Sequence, residues 1–216
     1  VTILMPYVTG GVTAGWIDYA YAYQDAGADL IEVGLPFSDP MLDGVTIQRA
    51  SEQALARGAT AGSILDDLAT AGLRVPVLIS TYANLAVRPG FARRAAGSGA
   101  SGLIVPDLPV DEVDELDTGL DVVLLAAPST PDDRLARIAA RSRGYIYAVS
   151  VMGTTGERAT LGDAAPALVK RIKAHTDLPV LIGFGVSGPE SAAAAGRAGD
   201  GVVVGAALMR RVLDGA

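Results

Sequence analysis

AAPALVKRIKAHTDLPVLIGFGVSGPESAAAAGRAGDGVVVGAALMRRVL, residues 164–213, runs twice through one cycle. An Ala-, Leu- and Lys-bearing segment of helical character, Ala164–His175, gives way to the apolar run Val180–Gly183. Pro189–Arg197 again reads as helix, Gly201–Val204 again as strand, and Ala206–Leu213 as a short closing helix. Runs this short and this apolar suit strands covered on both faces, as parallel strands are. Pro189 followed by Glu190 opens its helix with residues that favour a first turn.

The same cycle extends back to the start of the chain. Thr2–Val8, Leu30–Val33, Val75–Ser80, Gly102–Val105, Val122–Ala126 and Tyr145–Val149 complete a set of eight predicted strands. Ala14–Ala26, Thr46–Arg57, Pro89–Ala96 and Pro131–Arg141 are predicted helices between them, the last opening on Pro131, Asp132 and Asp133. The tails Ala26–Asp29, Ser98–Ser101 and Ala198–Gly201 each place a glycine where a helix hands over to a strand. Eight such units predict an α/β protein of the closed (β/α)8, or TIM, barrel type, with its site at the carboxyl ends of the strands. The alternative, an open doubly wound sheet, calls for G-x-G-x-x-G after the first strand, and that motif is absent. At 216 residues the expectation is one barrel domain over 1–216.

Composition narrows the function. A net charge of −7 and the absence of any Lys/Arg run argue against a nucleic-acid surface. Without cysteine there is no disulfide, zinc–thiolate site or thiol nucleophile. Nothing resembles a signal peptide, and no apolar run reaches the roughly 18 residues of a membrane span, so an intracellular protein is expected.

Three glycine-bearing turns follow the last three strands: Gly153-Thr154-Thr155-Gly156, Gly183-Phe184-Gly185 and Gly205-Ala206. Glycine lets a backbone approach an oxyanion and aim N–H groups at it, and this rim is the usual phosphate site of such barrels. Oriented peptide dipoles allow an acidic protein to bind an anion without lysine.

Glu32 lies inside the apolar run Leu30-Ile31-Glu32-Val33-Gly34, where a charge is costly without a task or a partner. Burial there raises a carboxyl pKa, which suits a group that must both give and take a proton. Asp43 follows 11 positions later in a loop with Asp39, Pro36 and Pro40, where turn chemistry and a functional role are both open. Lys170 and Lys173 are the only lysines and fall within a predicted helix. That argues against a Schiff-base aldolase and against an indole-glycerol phosphate synthase, both of which need lysine at strand ends. The single histidine, His175, closes the same helix, which disfavours a metal-dependent epimerase with histidine ligands. Proton transfer by carboxylates on a phosphate-anchored substrate remains.

Residues 31–48, Ile-Glu-Val-Gly-Leu-Pro-Phe-Ser-Asp-Pro-Met-Leu-Asp-Gly-Val-Thr-Ile-Gln, closely resemble the signature of the tryptophan synthase alpha subunit family. Met5–Thr9, Thr81–Asn84, Val105–Pro109, Gly144–Tyr147, Met152–Gly156 and Gly183–Ser187 carry the resemblance along nearly the whole chain. It implies a lyase that splits indole-3-glycerol phosphate into indole and glyceraldehyde 3-phosphate. Glu32 matches the general acid–base, Asp43 the acid that holds the indole N–H, and Tyr147 a tyrosine beside the glutamate. Thr155 matches a loop threonine that meets the aspartate on closure. Gly156, Gly185, Gly205 and Ala206 match the phosphate-binding backbone, and Tyr7, Ile104 and Phe184 the indole pocket.

The resemblance further implies no metal and no cofactor in this chain, a cytoplasmic location, and docking on a beta subunit carrying pyridoxal phosphate in an alpha2beta2 heterotetramer. A stand-alone lyase of a specialised pathway and a non-catalytic subunit that activates a partner are the alternatives. Three positions depart from the family pattern. Val45 stands where proline is usual, which predicts a less rigid Asp43 loop; Ala206 stands for serine and Tyr7 for phenylalanine. The family's leading helix and part of its last have no counterpart in these 216 residues.

Overall fold

The computed structural model describes residues 2–116, 119–149, 164–183 and 185–215. Eight parallel strands close on themselves in sequence order, β1 to β8, with β8 beside β1. They are β1 (Ile3–Thr9), β2 (Ile31–Gly34), β3 (Val77–Ser80), β4 (Ala100–Ile104), β5 (Asp121–Ala126), β6 (Ile146–Val149), β7 (Val180–Gly183) and β8 (Gly201–Val204). The eight-strand barrel expectation holds, with bounds shifted by one or two residues.

Helices clothe the barrel: α1 (Trp16–Asp25), α2 (Val45–Ala56), α3 (Ala61–Ala71), α4 (Ala83–Ala86), α5 (Phe91–Gly97), α6 (Asp132–Arg141), α7 (Ala164–Lys173), α8 (Pro189–Ala198) and α9 (Ala206–Leu213). The sequence reading does not anticipate α3. Its signal is local: Thr60 and Ser63 form a reciprocal capping box, and Gly72 ends the helix at φ +61°. Between β4 and β5 the described residues hold only a 3₁₀ segment, Val110–Glu115. Four carboxylates within those six residues repel one another along any helical face, which disfavours a longer helix.

Gly27 and Gly99 end their helices at φ +92° and +85°, as the tail motif requires. Gly199 does not: at φ −125° it is extended. Glycine is needed there because a Cβ would stand 2.8 Å from the Val180 carbonyl oxygen. Close approach, rather than a left-handed turn, selects it.

The strands bury both faces. Outward residues such as Val8, Ile31, Val33, Ile79 and Leu103 pack under the helices. Inward ones, including Met5, Leu78, Ile104, Val123, Tyr145, Leu181 and Val203, fill the barrel. Register pairs Glu32 with Tyr7 on one side and Leu78 on the other, so a carboxylate occupies a place in this inner layer.

Candidate active site

Strand alternation makes Glu32 and Gly34 inward neighbours on β2. Glu32 is 5% exposed at the carboxyl end of the barrel. Among the described residues no arginine or lysine forms a salt bridge with it. Its pKa is pushed up to about 7, chiefly by burial; a hydrogen bond with Ser80 works the other way, and the nearby Asp43 charge raises it further. A carboxyl poised there exchanges protons in both directions near neutral pH.

The loop after β2 separates its two acids. Asp39 is exposed and accepts a 2.6 Å hydrogen bond from Ser38, so it serves the turn. Asp43 is half-buried and lines the same cavity as Glu32. The Tyr82 hydroxyl donates to Asp43 Oδ2 at 3.0 Å and accepts from the Leu42 amide at 3.1 Å. Its ring stacks on Phe37 with centroids 4.8 Å apart. Gln48 Nε2 ties the loop from the other side, donating to the Asp43 carbonyl at 2.9 Å. Val45 is the first residue of α2, where the N–H it carries in place of a proline ring has no helical partner. Burial raises the Asp43 pKa and the Tyr82 hydrogen bond lowers it.

Sequence reasoning gave Tyr82 no role, although Thr81–Asn84 directly follows β3. Asp107, after β4, fixes this turn by accepting from the Ala83 amide at 2.8 Å. A phenol donating to a carboxylate favours its charged form. Tyr82→Phe should therefore raise the Asp43 pKa, lower activity by roughly tenfold, and move the acid limb of the pH–activity profile to higher pH. An unchanged acid limb would count against this role.

One cavity of about 160 Å³ gathers Glu32, Asp43, Tyr147, Tyr7, Ile104, Gly185, Gly205 and Ala206. Ile47, Ser51, Ser80, Thr81, Tyr82, Leu125 and Val203 line it as well and were not singled out from sequence. Thr155, Gly156 and Phe184 lie outside the described residues, as does the Gly153–Gly156 turn. Tyr7 and Tyr147 are buried, and their pKa values are raised well above 10, first by burial. For Tyr147 the Glu32 charge is the next cause; for Tyr7 it is the Asp43 charge. Both phenols therefore stay protonated.

Two glycines make room for those rings. A Cβ on Gly34 would stand 2.6 Å from Tyr7 Cζ, and one on Gly183 would overlap the Tyr147 ring. Gly183 thus makes room for a tyrosine ring. Gly185 has φ +77°, a conformation that itself selects glycine. Gly205 differs from both. Its φ is −108°, and a Cβ there meets Tyr7 only at 3.7 Å, so neither backbone nor packing requires a glycine. It opens α9, whose first bonds run from the Leu208 and Met209 amides to the Gly205 carbonyl. The amides of Ala206 and Ala207 stand ahead of that ladder, at the positive end of the helix, as an anion site requires.

The cavity is small, with two carboxylates at one side and a helix start at another. The family model of the tryptophan synthase alpha chain matches residues 2–216. The alpha chain of Roseiflexus castenholzii is 44% identical over 96% of this chain and 85% of its own length. That of Gloeobacter violaceus is 49% identical over 85% and 71%. In tryptophan synthase of Mycobacterium tuberculosis a chain superposes with a TM-score of 0.87 at 38% identity, covering 99% of this chain and 86% of that one. The alpha subunit of Pyrococcus furiosus gives 0.87 at 36% identity, over 98% and 90%. This chain belongs to the tryptophan synthase alpha chain family.

Proposed function

We propose that Glu32 and Asp43 together perform the reaction of this family, the lyase cleavage of indole-3-glycerol phosphate to indole and glyceraldehyde 3-phosphate, in the cavity at the mouth of the barrel. The observation that carries the reading is a buried Glu32, without a salt bridge among the described residues and with its pKa near 7, sharing one cavity with Asp43 and the start of α9. Glu32, as the acid, gives its proton to indole C3. That carbon becomes tetrahedral and the ring nitrogen positive. The ring N–H donates to the Asp43 carboxylate, which stabilises the charge as it develops.

The Glu32 carboxylate then takes the proton of the hydroxyl on the adjacent glycerol carbon. The C–C pair returns to the ring, leaving indole and an aldehyde. Tyr147, protonated throughout, donates beside Glu32. The backbone at Gly185, Gly205 and Ala206 holds the phosphate, joined by Gly156, while Thr155 meets Asp43 on closure. Tyr7, Ile104 and Phe184 enclose the indole. The proton given to C3 leaves with indole and the hydroxyl proton restores the Glu32 acid, so the proton count closes and the scheme calls on no cofactor in this chain.

The partner in this reading is a beta subunit bearing pyridoxal phosphate, in an alpha2beta2 heterotetramer, and the single barrel domain works in the cytoplasm. The test is indole release from indole-3-glycerol phosphate by the purified chain, with and without a beta subunit. Measurable release that rises at least about tenfold with the partner is expected, the scale of a coupling energy near 1.4 kcal/mol. High activity that ignores the partner points to a stand-alone lyase, and no activity in either condition sinks the catalytic reading.

A further inference from the structure

Two hydroxyls line the cavity without a side-chain hydrogen bond among the described residues, those of Thr81 and Ser51. Thr81 stands beside Tyr82, on the side of the acid pair. Ser51 is different in place. It is only 3% exposed and sits on α2, where Ile47 and Ser51 lie one turn apart on the face toward the cavity and Gly44 lines it just ahead of the helix. A serine inside a helix ordinarily settles its hydroxyl on the carbonyl one turn back, and Ser51 does not. No fully enclosed side-chain oxygen or nitrogen among the described residues lacks a partner. The Ser51 oxygen is therefore not sealed in, and it reaches the cavity.

Helix α2 packs against both β1 and α9. Ser51 thus belongs to the wall shared with Gly205 and Ala206, where the leading amides of α9 stand. Ala206 brings no hydroxyl of its own. A phosphoryl group met by backbone amides alone keeps oxygens able to accept another bond, and a buried hydroxyl on the facing helix is suited to give one.

We propose that Ser51 is a further substrate-binding residue, donating its hydroxyl to the phosphate-bearing end of the substrate opposite the start of α9. This rests on the reading of the cavity as a site for a phosphorylated substrate, and it adds a side-chain contact to a grip otherwise made by backbone.

Glycerol 3-phosphate serves as the probe, as a competitive inhibitor of indole release and in direct calorimetric binding. Ser51→Ala should weaken its binding by about tenfold or more, the scale of one hydrogen bond to a charged group, and raise KM alike. The kcat should stay within about twofold, because the hydroxyl bears equally on ground and transition states. Ser51→Thr, which restores the hydroxyl, should recover most of the affinity. Unchanged glycerol 3-phosphate binding in Ser51→Ala overturns the inference, and so does a loss confined to kcat. Glu32→Gln, assayed alongside, keeps the two ideas apart. If it loses turnover while Ser51→Ala binds normally, only the role of Ser51 falls. If glycerol 3-phosphate fails to bind the unaltered chain, the phosphate reading falls with it.

Discussion

Glu32→Gln is expected to bind substrate and to release indole about 10²–10⁴-fold more slowly, because an amide neither gives nor takes a proton. The shape of the side chain is nearly kept, so KM should change little and the loss should fall on kcat. The same variant tests the buried charge through stability. Glu32 has a folded pKa of about 7 against an ordinary 4.5, so between those values the folded state holds more protons than the unfolded one. Stability from this group is fully present below pH 4.5 and is lost as pH rises through 7. The cost of ionising it in place is on the order of 3 kcal/mol by pH 8. Glu32→Gln escapes that cost. Its advantage in unfolding free energy over the unaltered chain should grow by roughly 2–3 kcal/mol between pH 5 and pH 8. Parallel stability curves for the two proteins would mean that Glu32 is solvated or paired after all.

Gly34→Ala should damage the site through one methyl group. The new Cβ would stand 2.6 Å from Tyr7 Cζ and 2.7 Å from Cε2, too near for carbon atoms, while Tyr7 Oη is held at 3.1 Å from Thr9 Oγ1. Overpacking of this kind costs about 1–3 kcal/mol. Because Tyr7 is the register partner of Glu32, the displaced ring should also disturb the acid, with activity down by about 10²-fold. The diagnostic comparison is with double variants. Tyr7→Phe should not rescue Gly34→Ala, since the clash includes ring carbon. Tyr7→Leu should recover most of the stability, giving a coupling energy of about 1–3 kcal/mol in the cycle. Additive effects would show that the ring has somewhere else to go.

The barrel was legible because its strands are short, apolar and separated by helix-ending glycines, and physics leaves few ways to cover both faces of eight of them. Glu32 was legible for the opposite reason, as the residue that breaks its run. Asp43 was ambiguous from sequence. Asp39 has the same chemistry four residues earlier, and only the fold shows which acid is spent on Ser38 and which lines the cavity. Tyr82 and Ser51 were invisible. A tyrosine after a strand and a serine in a helix carry no period and no penalty, and their roles arise only when β3 and α2 are brought to one rim. Glycines were the most deceptive. Gly183, Gly185, Gly199 and Gly205 look alike in sequence. Respectively they admit a ring, turn the backbone, admit a carbonyl, and open a helix in ordinary contact with Tyr7.

The Tyr82 hydroxyl has one hydrogen, and its oxygen already receives the Leu42 amide. Its hydrogen is thereby committed in one direction, toward Asp43. A water or ligand arriving in the cavity meets one carboxylate whose charge is anchored from behind and another whose ownership of a hydrogen is undecided at neutral pH. Division of labour between two chemically similar acids thus follows from how a single phenol is wedged into a loop, and it is in force before any substrate arrives.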